Sequence, residues 1–207
     1  MESQSTVFIV DDDPAMRESL RWLIESVGLA VETYGAARDF LDTYDPARAG
    51  CLLLDVRMPG LSGLDLQAEL SVRRISIPTI IITGYAEVPM AVRAMKAGAI
   101  DFIEKPFSDQ HLLDRIRQAI EIDREDRRVS AERKEMTDRY ERLTQRERQV
   151  MEMVVSGRPN KTVAQEFGLS EKTVEVHRSK VMEKMRAQSL ADLIRMDLIL
   201  KGDKGKP

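Results

Sequence analysis

Several short apolar runs in the first half of this chain end in side chains that can handle a phosphoryl group. Cys51-Leu52-Leu53-Leu54 runs into Asp55, and Met58-Pro59-Gly60 then imposes a sharp turn. Val7-Phe8-Ile9-Val10 runs into Asp11, Asp12 and Asp13; Ile80-Ile81-Ile82 runs into Thr83; Ile100 to Ile103 leads to Lys105. A carboxylate is a poor nucleophile toward phosphorus because both partners are anionic, and a divalent cation lowers that repulsion. Magnesium takes only one or two protein carboxylates and keeps waters. Asp12 and Asp55 could therefore share one Mg²⁺, with the carbonyl of Arg57 as a further ligand and Asp11 acting through a water. Lys105 would add positive charge where the equatorial oxygens sit, and Thr83 would donate a hydroxyl. The product would be an aspartyl phosphate on Asp55. Each group also has a local reading: the aspartates as helix caps, Thr83-Gly84 and Lys105-Pro106 as turn chemistry. The conjunction at the ends of separate runs favours the functional one.

These groups meet only if the runs are parallel strands. Strands are expected at about 6–10, 30–34, 51–54, 79–82 and 100–103. Between them Met16, Leu20, Leu23, Ile24 and Val27 recur with helical period, Pro14 suits the first turn and Gly28 the end. Further helices are marked by Phe40 and Leu41; by Leu64, Leu66 and Leu70; by Val88, Ala91, Val92 and Met95; and by Leu112, Leu113, Ile116, Ala119 and Ile120. Alternating strand and helix implies an α/β, doubly wound parallel sheet covered on both faces, whose ligand site lies beyond the carboxyl ends of the strands.

Charge divides the chain. Residues 1–121 carry 12 Lys/Arg and 19 Asp/Glu, residues 122–142 carry 7 of each, and residues 143–207 carry 13 and 9. Residues 122–142 lack glycine and proline, which favours a charged helical linker. Ile122, Val129, Met136 and Leu143 recur every seventh residue, but the companion seam is mostly polar. The segment reads as a single helix with a thin apolar stripe, or as a weak coil between two chains. The last third is all helical. Thr144 and Glu147 have capping-box spacing, Asn160 and Ser170 are candidate caps, and a closing helix is expected at about 189–200. The tail 201–207 is expected to be disordered. No apolar stretch of membrane-spanning length occurs, the first residues lack a secretion signal, and the lone Cys51 excludes an internal disulfide. The expectation is a soluble cytoplasmic protein.

In the helix expected at 171–185, Val174, Val181 and Met185 share the buried line, with His177 near it. Lys172, Val176, Ser179 and Glu183 share the outward face, flanked by Glu175 and Lys180. A short helix, a glycine stop and a helix with an outward valine fit a helix-turn-helix; Val176 would meet a thymine methyl or be an isolated surface valine.

The wording of both halves resembles known families. Val10-Asp11-Asp12-Asp13, Leu54-Asp55-Val56-Arg57-Met58-Pro59-Gly60, Ile82-Thr83-Gly84 and the run from Ala94 to Phe107 are similar to a two-component receiver domain over residues 5–121. Leu143-Thr144, Arg146-Glu147-Arg148, Gly157, Asn160-Lys161, Val163-Ala164, Ser170 and Thr173 to Arg178 are similar to the LuxR-type DNA-binding domain. Together they resemble the NarL/FixJ class of response regulators, closest to the FixJ branch. That resemblance implies domains at 1–121 and 143–200, a receiver with strand order 2-1-3-4-5, and a phosphoryl group passed to Asp55 from a sensor histidine kinase. It implies Mg²⁺ at Asp11 and Asp12, phosphoryl oxygens at Thr83 and Lys105, and Phe102 as an aromatic switch. It implies promoter DNA as partner, with Lys161, Thr173, Arg178, Lys180 and Lys184 as phosphate contacts. RNA polymerase and a homodimer formed on phosphorylation, paired through residues 88–120 and the closing helix, are further implied partners. Glu175 departs from the family lysine; we favour pairing with Lys172 or Arg178 over acceptance from a cytosine. The expected function is a phosphorylation-activated transcription regulator rather than an enzyme. Alternatives are a constitutive DNA binder with the receiver as dimer scaffold, and a Mg²⁺-dependent phosphatase.

Overall fold

The computed structural model describes residues 5–202. The described chain divides into two compact units, the boundary falling between Arg127 and Arg128.

The first unit alternates β1 (Thr6–Val10), α1 (Pro14–Glu25), β2 (Ala30–Tyr34), α2 (Ala37–Thr43), β3 (Gly50–Asp55), α3 (Gly63–Val72), β4 (Thr79–Thr83), α4 (Val88–Lys96) and β5 (Asp101–Glu104). All strand pairs are parallel, in the order β2-β1-β3-β4-β5. Burial explains the composition of the strands. β1, β3 and β4 are buried along their whole length, as apolar strands covered on both faces must be. Alternate residues feed two cores. Phe8, Leu52, Leu54 and Ile81 pack with Phe40, Leu66 and Leu70 on one face. Val7, Ile9, Leu53, Ile80 and Ile82 pack with Ile24, Leu112 and Ile116 on the other. Each such side chain, fully buried, contributes roughly 1.5–3 kcal/mol.

Helix α5 spans Asp109–Glu141 without interruption. The first unit runs past Glu121, where the sequence reading ended it, because two linker residues bond the start of the central strand β3 and the loop before it. Asp123 is only 3% exposed. Its carboxylate accepts from Gly50 N–H at 2.9 Å and from Arg127 Nε at 2.8 Å. Arg127 in turn donates to the carbonyls of Pro46, Ala47 and Arg48. Burial and the nearby Asp123 carboxylate, against the pull of Arg127, push the Tyr44 phenol up to about 12. Gly50 is required there, since a Cβ on it would lie 1.8 Å from the Thr6 carbonyl oxygen.

The second unit holds α6 (Gln145–Val155), α7 (Asn160–Phe167), α8 (Glu171–Met185) and α9 (Leu190–Lys201) around one core of Leu143, Val150, Val154, Val163, Val174, Val181, Met185 and Leu193. The end of α5 belongs to it: Tyr140 packs on that core, and Arg139 donates to the Met185 carbonyl at 3.2 Å. The seven-residue stripe is therefore split in use. Leu143 is buried, whereas Ile122 and Val129 are exposed. The capping box at Thr144 and Glu147 forms, and Ser170 and Ser189 cap α8 and α9. Asn160 does not cap; Pro159 holds the cap position and the Asn160 side chain turns to α8. Of the tail, Lys201 closes α9, and residues 203–207 lie outside the described part.

Candidate functional site

Strand register carries the acidic site. Val10 is opposite Leu54, Asp55 opposite Ile82, and Thr83 opposite Glu104. Asp11, Asp55, Thr83 and Lys105 therefore emerge at one end of the sheet. The Lys105 ammonium bridges two carboxylates, 2.8 Å from Asp11 Oδ2 and 2.8 Å from Asp55 Oδ1. Asp55 Oδ2 accepts from Arg57 N–H at 2.6 Å. Asp11 Oδ1 accepts from Asp13 N–H, and Asp13 Oδ1 accepts from Ala15 N–H, so Asp13 is the residue that caps α1. Asp11 is held from behind as well, its carbonyl accepting from Arg17 at 2.6 Å.

Burial sets the electrostatics. It pushes the Asp55 carboxyl above the usual carboxylate range, opposed by the hydrogen bond and charge of Lys105. It also works against the Lys105 ammonium, but bonds to Asp11 and Asp55 outweigh it and hold that lysine above its ordinary value. The site is a buried carboxylate pair held by one cation. A bare carboxylate pair this close would repel; Lys105 is what permits it.

Gly63 determines how closely α3 approaches the loop after Asp55. A Cβ there would sit 2.1 Å from the Asp55 carbonyl oxygen. Gly63 N–H instead donates to the Val56 carbonyl at 3.0 Å.

The other expected residues occupy distinct places. Asp12 is exposed. Thr83 is buried, and its hydroxyl accepts from Tyr85 N–H at 3.2 Å instead of joining the carboxylates. Phe102 is half-buried against the core on the α3 and α4 side. Arg57 lies with its guanidinium 3.9 Å from the Tyr85 ring centroid, a cation–π contact beside the acidic cluster. Among the described residues no three His, Cys, Asp or Glu side chains gather closely enough to hold a metal. Asp11 and Asp55 are the carboxylates brought together, with the Lys105 ammonium between them; magnesium takes only one or two protein carboxylates.

In the second unit α8 buries Val174, Val181 and Met185 as its spacing required. Lys161, Lys172, Glu175, Ser179 and Lys180 are exposed, and Val176 is 48% exposed. Thr173, Arg178 and Lys184 are partly buried and already engaged. The Thr173 hydroxyl meets that of Ser170 at 2.8 Å, and Arg178 donates to Asn160 Oδ1 at 2.7 Å. Lys184 meets the buried Glu147 carboxylate at 2.6 Å. The favoured pairing of Glu175 with Lys172 or Arg178 does not form: among the described residues Glu175 has no ion-pair partner, because Arg178 turns toward α7. His177 is half-buried, with Nδ1 lacking a partner.

Sequence reasoning missed the Asp123–Arg127 pair and the tie between Lys184 and Glu147. The first left one trace, acid and base four residues apart on a helix. The second joins residues far apart in sequence and left none.

A five-stranded parallel receiver sheet with acids and a lysine at one end, followed by a helix-turn-helix unit, defines the class: a receiver joined to a DNA reader. Residues 7–117 match the response regulator receiver domain, and residues 141–197 match the LuxR family of bacterial regulatory proteins. The chain belongs to the response regulators with a LuxR-type DNA-binding domain, transcription regulators of two-component systems near FixJ, and not to enzymes. It is 52% identical to nodulation protein W of Bradyrhizobium diazoefficiens, over 94% of this chain and 86% of the relative. It is 47% identical to the transcriptional regulatory protein FixJ of Azorhizobium caulinodans, over 96% and 94%. Among solved structures, the response regulator StyR aligns with a TM-score of 0.87 and 44% identity, covering 94% of this chain and 98% of that one.

Proposed function

We propose that Asp55 is the phosphoacceptor, taking its phosphoryl group from a phosphohistidine of a sensor histidine kinase. The supporting observation is the Lys105 ammonium held 2.8 Å from both Asp11 and Asp55. A cation already placed at the attacking carboxylate can pass to the incoming phosphoryl oxygens. Asp11, Asp12, Asp55 and the Arg57 carbonyl are the residues that would hold Mg²⁺, which supplies charge neutralisation at those oxygens. Thr83 would turn its hydroxyl from Tyr85 to the phosphoryl group, and Phe102 would follow into the space released.

The output follows from the surfaces. Val88, Val92 and Met95 leave α4 with an exposed apolar face, Val88 being 78% exposed. Phosphorylation would pair two chains through residues 88–120, and α9 would pair them on DNA. Helix α8 would enter the major groove. Lys161, Lys172, Ser179 and Lys180 would meet phosphates, Val176 a thymine methyl, and unpaired Glu175 a cytosine amino group. Thr173, Arg178 and Lys184 would do so only by exchanging their internal partners. Reading promoters and working with RNA polymerase place the protein in the cytoplasm; no described helix is long and apolar enough to cross a membrane.

The test is intact mass and gel shift of wild type and Asp55→Asn with Mg²⁺ and phosphoramidate. Wild type should gain one phosphoryl group and bind promoter DNA more tightly; Asp55→Asn should do neither. Equal promoter affinity of both proteins under donor would favour the constitutive scaffold reading.

A further inference from the structure

A groove of about 750 Å³ opens beside the carboxylate cluster, between the loop after β3 and the start of α4. Asp12, next to Asp11 in the chain, and Arg57, whose N–H bonds Asp55, both line it. Its apolar lining comes from Met58 and Pro59 after β3, Leu64 of α3, and Pro89 and Met90 of α4. Of the charges that line it, Arg93 bonds Asp65 at 2.8 Å and Arg57 lies over Tyr85, while the Asp12 carboxylate is exposed. Met58 is buried, and Met90 is half-buried against the core. An acidic, charge-handling site thus adjoins an apolar recess.

Phosphoryl transfer gives that juxtaposition a use. In an in-line displacement the leaving group departs on the side opposite the attacking oxygen, so it projects outward, past the residues that rim the site. We propose that this groove receives the leaving group of the phosphoryl donor, the imidazole ring of a kinase phosphohistidine, and that Met90 and Met58 determine specificity for ring-bearing donors. The proposal rests on Asp55 as phosphoacceptor. In the step, an Asp55 oxygen forms the new O–P bond and the P–N bond breaks. Its electron pair stays on the ring nitrogen. The second ring nitrogen already carries a proton, so imidazole leaves neutral. A neutral planar ring suits the apolar part of the recess, where thioethers contact aromatic edges favourably.

The test compares two donors on the full chain with Mg²⁺. Phosphoimidazole leaves a ring; phosphoramidate leaves ammonia. Met90→Ala should slow phosphorylation by phosphoimidazole about 2- to 10-fold, the scale of a lost sulfur–aromatic contact. The phosphoramidate rate should change less than about twofold by the same reasoning. Met90→Leu, which keeps the volume, should recover part of the loss and controls for packing. Independently, methyl-labelled methionine NMR with imidazole alone should shift the Met58 and Met90 methyl signals ahead of the other methionines. Equal slowing with both donors, no slowing with either, or unshifted Met58 and Met90 signals would overturn the proposal. Failure of wild type to take a phosphoryl group from either donor would instead remove the Asp55 reading beneath it.

Discussion

Removing the carboxylate of Asp123 tests whether the first unit truly reaches Arg127. In Asp123→Ala, Gly50 N–H loses its 2.9 Å acceptor and Arg127 loses both carboxylate oxygens, at 2.9 and 2.8 Å. Breaking a buried ion pair from one side costs roughly 3–5 kcal/mol. The Arg127 side chain is 30% exposed and keeps its three carbonyl acceptors, so water and backbone recover part of that cost. We expect a loss of about 2–3 kcal/mol, after discounting for solvent. That lowers the melting temperature of the receiver transition by roughly 5–15 °C. Differential scanning calorimetry of the full chain separates this transition from that of the helical unit, which should not move. A double-mutant cycle with Arg127→Ala should return a coupling of about 1–3 kcal/mol. If Asp123→Ala melts within a degree or so of wild type, or the coupling is near zero, the pair is surface decoration and burial has been misjudged as a measure of its weight.

Other outcomes follow from the same structure. Burial pushes the Glu147 carboxyl up, but the Lys184 ammonium and the Thr144 N–H and hydroxyl outweigh it and hold it below the ordinary glutamate range. The depressed carboxyl therefore adds stability above about pH 4.3 that is lost as pH falls through the folded-state value; melting curves of wild type and Glu147→Gln for the helical unit should converge in acid and separate above pH 5 (roughly, by the same linkage). Gly63→Ala should destabilise the receiver by about 2 kcal/mol or more, because the new methyl meets the Asp55 carbonyl oxygen; calorimetry reads it, and an unchanged transition would deny the close approach. Lys180→Ala should lower the slope of log affinity against log salt by about one contact. Val176→Ala should leave that slope alone and relax base preference at one position, read by binding to a randomised site.

The fold was legible because its grammar is local. Alternating apolar runs and helical periods place Leu52 or Ile116 on a buried face whatever lies opposite, and capping residues such as Asp13 and Ser170 act within a few positions of themselves. The placement of the site was legible in composition: acids, hydroxyl and lysine that follow parallel strands emerge at one end of the sheet, where Asp11, Asp55 and Lys105 meet. Its wiring was not. That Thr83 bonds to Tyr85, that Asp13 rather than Asp12 caps α1, and that Arg178 serves Asn160 are choices among several reachable partners, and spacing does not rank them.

By itself the sequence determined which elements form, their polarity, and which end of the sheet carries the acids and the lysine, since these depend on propensity and period over a few residues. Only the tertiary structure decided that one ammonium bridges Asp11 and Asp55, and that a charged linker residue, Asp123, bonds the first residue of β3. It also decided that Lys184 spends its charge on Glu147. Those pairings join residues from 37 to 94 positions apart, and which charges meet depends on packing of whole elements that no local pattern encodes.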